Sequence, residues 1–283
     1  MSHPLDGCWA KVKRANMHLH FLNDRVNLFL VKGDSYQVHA YPDVQAREIV
    51  VDGEALREPL VHEWGAIIGD VVHNLRSALD HLVWQLTVAA GYTPPPNPIP
   101  KRGPGSDWKQ IGFPIHVNPY PMDHRGNLIP WATSKEPKSL WGIRPSLRTD
   151  FEGLQPFNYG QNAPEAPLAI LEELWNIDKH RHLHLTLFFA GLHDVTSRSP
   201  EFKFRILQKH PPGPFKGRAE IGRAKQVRGR PHQLAHMYME TVVTFGIAFE
   251  QGPPAYGGLV VEKLERLHDT VAEILVKFNS EFT

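Results

Sequence analysis

The chain has 283 residues, a formal net charge of +1, 41% hydrophobic and 22% charged residues, and a single cysteine, Cys8. That is enough apolar mass for a substantial core. The balance excludes a global field for nucleic acid or anionic membranes, and one cysteine excludes an internal disulfide.

In chain order, residues 8–31 predict a long helix, because Trp9, Val12, Ala15, Leu19, Leu22, Val26 and Phe29 recur at spacings of three and four. Residues 36–41 and 47–51 alternate and predict a β-hairpin, with Asp52-Gly53 as a turn signal. Pro59 opens a second long helix over residues 59–90, and Gly91 closes it. Residues 93–150 form a Pro-rich irregular insertion expected to cover a cleft, with Phe113-Pro-Ile-His-Val117 as one short strand. A helix over residues 165–180 follows. Strands are expected at 183–189, 202–207 and 241–249, and a final helix at 258–280. The expected fold is α+β, a single elaborated domain over residues 1–283. Its mainly antiparallel sheet is drawn from residues 36–51 and the C-terminal half. The N-terminus lacks the pattern of a secretory signal and no apolar run is long enough to span a bilayer, so a cytoplasmic protein with no membrane partner is expected.

The segment Gly69-Asp-Val-Val-His-Asn-Leu-Arg-Ser-Ala-Leu-Asp-His-Leu82 carries the densest chemistry. On a helix, Ile68, Val71, Leu75, Leu79 and Leu82 form one apolar stripe. Asp70, His73, Asn74, Arg76, Ser77, Asp80 and His81 fall on the other side. Two readings stand. One is a wet face with an Arg76–Asp80 pair at i, i+4. The other is a functional cleft, in which His81 moves a proton and Arg76 braces charge on a phosphodiester. His73 and Asp80 would assist.

A second cluster, Asn176-Ile-Asp-Lys-His-Arg-His-Leu-His184, places Asp178, Lys179 and Arg181 at a helix end. If the chain is already strand there, His180, His182 and His184 share a face. With Asp70 they would then hold zinc or another transition metal. A capped helix end with exposed histidines is the alternative. A third cluster, Lys209, Lys216, Arg218, Arg223, Lys225, Arg228 and Arg230, has one acid, Glu220, among it. It reads as a solvated loop or flexible hairpin, or as a track for a phosphate backbone.

The Arg76-x4-His81 spacing resembles the short motif of the HEPN superfamily, helical proteins that include metal-independent ribonucleases. That resemblance implies a catalytic Arg76/His81 pair completed across a homodimer, with RNA as partner and no cofactor. Gly69–Leu82, Phe113-Pro-Ile115, Leu154-Gln-Pro-Phe157 and Asn176–Arg181 together resemble a widespread family of uncharacterised bacterial proteins. This second resemblance implies a bacterial cytosolic protein and no particular activity. Three functions therefore remain open: an HEPN-like endoribonuclease or RNA-processing nuclease, a metal-dependent enzyme with a His/Asp site, and a non-enzymatic binding or structural protein.

Overall fold

The structure, a computed structural model, describes residues 3–31, 34–95, 97, 99, 105–119, 138–197, 202–228, 239–250 and 258–282. Among the described residues the fold is α+β, with five α-helices and two antiparallel sheets. The helices are α1 (Asp6–Val31), α2 (Val61–Ala89), α3 (Arg148–Gly153), α4 (Pro167–His180) and α5 (Val260–Lys277). The strands are β1 (Tyr36–Asp43), β2 (Glu48–Ala55), β3 (Leu185–Ser197), β4 (Lys203–Gln208), β5 (Gly213–Pro214), β6 (Arg218–Arg228) and β7 (Met239–Phe249). One sheet runs β1-β2-β6-β4 and the other β5-β3-β7.

The helices form where the apolar period requires them. On α1 the buried set is Cys8, Val12, Ala15, Leu19, Leu22, Val26 and Phe29, the stripe expected from spacing. It packs along α2, where Phe29 meets Trp64 edge to face at 5.4 Å. α2 stops where Gly91 adopts φ +96°, a conformation open to glycine, and the amide of Gly91 caps the carbonyl of Val88. α4 begins at Pro167, whose missing N–H costs nothing in the first turn. Buried Val260, Leu264, Leu267, Val271 and Ile274 close α5 over this helical layer.

The sheets meet through an aromatic layer. Phe215 and Phe245 lie 5.3 Å apart edge to face, Phe189 and Phe245 5.6 Å, and Tyr36 and Phe245 4.3 Å. Gly53 sits under this cluster. A Cβ there would come within 2.9 Å of the Phe215 ring and 3.2 Å of Phe245. This corrects the expected turn at Asp52-Gly53. Both residues are inside β2, and the glycine is there because rings approach the backbone.

Three further expectations change. One sheet was expected and two are present. Phe113–Val117 forms no strand, because side chains from elsewhere take its backbone groups. Of the basic cluster, Arg218, Arg223, Lys225 and Arg228 stand on β6, which lies inside its sheet between β2 and β4, while Lys209 and Lys216 lie on the connection before it. Three of the cluster's cations are answered by acids, most of them distant in sequence. Arg218 pairs with Asp52 at 3.0 Å. Arg223 pairs with Glu220 at 2.8 Å and Glu48 at 3.2 Å, and Lys216 with Glu250. Arg230 and residues 96, 98, 100–104 and 120–137 of the Pro-rich insertion lie outside the described residues. Among the described residues, no helix is long and apolar enough to cross a membrane.

Candidate functional site

The polar face of α2 meets α4 and the segment around Phe113, and Arg76 stands at the junction. Arg76 is buried, with 8% of its surface exposed. Its Nη1 donates to Asp80 Oδ1 at 2.5 Å and its Nε to Glu172 Oε2 at 3.0 Å. Nη2 donates to the Phe113 carbonyl at 2.9 Å. The guanidinium also lies 5.1 Å from the centre of the Trp175 ring, and Lys179 caps the same ring at 2.8 Å. Every nitrogen of the guanidinium therefore has an acceptor, and two carboxylates balance its charge.

Asp80 is equally committed. The oxygen that binds Arg76 also accepts the Phe113 backbone N–H at 2.8 Å. One i, i+4 pair of α2 thus holds both backbone groups of Phe113, whose ring is buried against Phe151. Gln155 repeats the device two residues on. Fully buried, it donates to the carbonyls of Pro114 (3.1 Å) and Phe151 (2.9 Å) and accepts the His116 N–H at 3.0 Å. Gly112 must stay small here, since a Cβ would lie 3.1 Å from Asp80 Oδ1. A chain segment with no strand partner has its backbone satisfied by Arg76, Asp80 and Gln155 instead.

The remaining expected site residues do not join this cluster. His81 is exposed on the next turn of α2. Partial burial, then the charge of Lys11, lowers its pKa from the usual histidine value, with Asp80 opposing. Five residues apart on a helix, His81 and Arg76 stand about 140° apart around the axis, and Arg76 is the one that turns to α4. Asn74 donates to the Asp70 carbonyl of its own helix at 2.7 Å. Asp70 is exposed, and its carboxylate lies 3.9 Å from His18 on α1.

The two motifs do touch, along α2 below the clamp. The Asp178 carboxylate lies directly on the backbone at Gly69, where any Cβ would collide with it. Burial of that carboxylate, then the neighbouring Asp70, raises its pKa, with His73 opposing. His73 is thus the electrostatic neighbour of Asp178. Among the described residues, however, no hydrogen bond joins His73, Arg76, Asp80 or His81 to a side chain of residues 178–184. The link to α4 that is made runs through Glu172 instead.

The three alternating histidines separate. His180 is the last residue of α4 and Arg181 is already extended, at φ −149°. His182 packs edge to face on His62 of α2, with ring centres 5.3 Å apart. His184 lines a different cavity, beside Arg57, Lys216 and Glu250. Among the described residues no group of three His, Cys, Asp or Glu side chains is placed to hold a metal ion. His180 and His182 share an open groove of about 550 Å³ with His62, Gly65, Asp178, Lys179 and Arg181, and His184 stands apart from them.

Sequence reasoning gave no role to Gln155, Trp175 or Glu172. A signal existed for Gln155: Leu154-Gln-Pro-Phe157 and Phe113-Pro-Ile115 stand out alongside the α2 motif, and the structure joins them. No protein-family model, curated protein or solved structure matches this chain.

Proposed function

We propose that this chain is a non-enzymatic binding or structural protein, and that the Arg76–Asp80–Glu172 cluster is a lock within its fold. The observation that carries this reading is the engaged guanidinium of Arg76, each of whose three nitrogens donates to an acceptor inside the fold. A catalytic arginine must turn donors towards a developing charge. To do so here, Arg76 would have to leave two carboxylates and a buried carbonyl, breaking two ion pairs and leaving the Phe113 carbonyl without its donor. The position of His81 supports the same reading, since it is exposed and, among the described residues, makes no hydrogen bond to Arg76, Asp80 or Glu172. The separation of His180 and His182 from His184 weighs against the metal-dependent alternative. A ligand has a place to bind in the groove along Val61–Ala66. There the two cations Lys179 and Arg181 outnumber the one carboxylate, Asp178, and so favour an anion.

The discriminating experiment pairs Arg76→Ala with His81→Ala, each measured for thermal stability and for cleavage of single-stranded RNA in EDTA. The lock reading expects a marked loss of stability in the first variant, little in the second, and no cleavage by any form. The rival, a metal-independent nuclease, expects wild-type cleavage that both substitutions abolish with stability nearly intact.

A further inference from the structure

The outer face of the sheet β1-β2-β6-β4 treats its cations in two ways. Towards one end acids answer them: Arg218 pairs with Asp52, and Arg223 with Glu220, Glu48 and, at 3.5 Å, Asp43. Towards the other end cation meets cation. Lys225 of β6 stands directly opposite Arg205 of β4, and Arg228 opposite Lys203. All four are exposed. Directly opposed residues share a face, and like charges there repel. Exposed Arg47 joins them from the β1–β2 turn, where its backbone carbonyl accepts the Gln226 N–H at 3.0 Å. Arg47 holds φ +58°, and among the described residues no other non-glycine residue has a positive φ. Hairpin turns favour glycine or asparagine at such a position. Among the described residues, the side chains of these five cations make no hydrogen bond or ion pair. Glu48 faces Lys225 from β2 but turns to Arg223. Protection of an edge strand accounts for Lys203 and Arg205, because β4 ends the sheet. It accounts neither for Lys225 and Arg228, on an inner strand, nor for Arg47.

We infer that this end of the sheet docks the sugar–phosphate backbone of a double-stranded nucleic acid without reading its sequence. Charge complementarity selects the partner. The four strand cations form a patch of roughly 5 Å by 10 Å, set by the spacing between strands and along them. An isolated phosphate would engage one pair of them, whereas phosphates repeated along a backbone engage them all. Repulsion that costs the free fold is relieved by anions lying between the members of each pair. The lack of a stacking platform selects duplex over single strand. Single-strand binders seat bases on aromatic rings. Tyr41, the exposed tyrosine of this face, stands on the far edge strand β1 and donates to Asp52 at 3.2 Å. A duplex offers its phosphates outside and keeps its bases within. Asp43, Glu48 and Glu220 temper the field, so the affinity belongs in the non-specific range, micromolar or weaker at physiological salt. The patch stands on other elements than the Arg76 cluster, and neither depends on the other.

Fluorescence anisotropy of a labelled random-sequence DNA duplex, titrated with the full chain over a series of salt concentrations, tests it. The wild type should bind, with log K falling against log salt at a slope on the order of −3 to −4. Lys203→Glu combined with Arg205→Glu should weaken binding roughly tenfold or more at low salt and flatten the slope by about 2, one for each lost phosphate contact. The same double variant should melt no lower than wild type, because two like-charged pairs become opposite pairs. Lys13→Glu with Arg14→Glu makes the same change of net charge at two exposed positions of α1 and should leave the affinity within about twofold. A duplex left free by the wild type at low salt overturns the inference. So does an equal loss in both double variants, which assigns binding to net charge. So does a lower melting temperature for Lys203→Glu with Arg205→Glu, because these cations then hold the fold. Tighter binding to the single strand overturns the choice of duplex. Cosedimentation with phosphatidylserine vesicles, without duplex binding, makes the patch a membrane contact and overturns it too.

Discussion

Arg76→Ala removes one side chain and leaves three acceptors behind. The losses are the 2.5 Å bond to Asp80, the 3.0 Å bond to Glu172 and the 2.9 Å bond to the buried Phe113 carbonyl. Stranding one partner of a buried ion pair costs about 3–5 kcal/mol. Here the carboxylates are not fully buried: the Asp80 and Glu172 side chains are 33% and 30% exposed, so water recovers part of the loss. A net cost of roughly 2–3 kcal/mol follows once solvent screening is discounted. For a chain of this size that is a fall in melting temperature of about 4–12 °C. Urea unfolding followed by circular dichroism reads the free energy directly, and the slope with denaturant should stay constant. A double-mutant cycle with Glu172→Gln should show a coupling of about 0.5–3 kcal/mol, because the two side chains share one bond. Arg76→Lys should recover only part of the loss, since a single ammonium cannot serve three diverging acceptors. An Arg76→Ala variant within about 0.5 kcal/mol of wild type, the range of ordinary surface changes, would refute the lock.

Other consequences follow from the same geometry. Gly53→Ala should destabilise by about 1–3 kcal/mol in a thermal melt, because a Cβ there overpacks Phe215, Ile221 and Phe245; an unchanged melt would mean the sheets have slack between them. Asp178 has its folded-state pKa raised above 3.8, so its ionised form costs stability above that raised value and the cost vanishes as pH falls below 3.8. Asp178→Asn should therefore raise the melting temperature at pH 7 and lose that gain on acidification; a gain that is independent of pH contradicts the assignment. His116 has a pKa lowered below 6.5, first by burial and with Glu172 opposing, so the unfolded chain takes up its proton first. Stability should fall as pH drops through 6.5, and His116→Gln should flatten that fall between pH 7 and 5; an unchanged pH profile would remove His116 from the account.

The parts of the fold legible in the sequence are those whose signal is contained in one element. The inner stripe of α1, the Val260–Ile274 stripe of α5, the hairpin of β1 and β2 and the stop at Gly91 all follow from spacing or local backbone need. What was not legible depends on distant partners. β6 looks like a charged loop because Asp43, Glu48 and Asp52, which answer Arg223 and Arg218, stand on other strands. Gly53 looks like a turn because the rings it admits belong to Phe215 and Phe245, far along the chain. The same holds for the site. The helical wheel placed Arg76 on the polar face of α2, but its burial depends on Glu172, 96 residues away, and on the backbone of Phe113. The three histidines looked convergent only while residues 180–184 were read as one strand; α4 runs through His180 and breaks the alternation.

The most direct test of the lock is incubation of the wild-type protein with a single-stranded oligoribonucleotide in EDTA, beside Arg76→Ala and His81→Ala proteins of known melting temperature. The account predicts intact RNA in every sample and a lowered melting temperature for Arg76→Ala alone. RNA cleaved by the wild type but by neither variant, with all three proteins melting together, would contradict it.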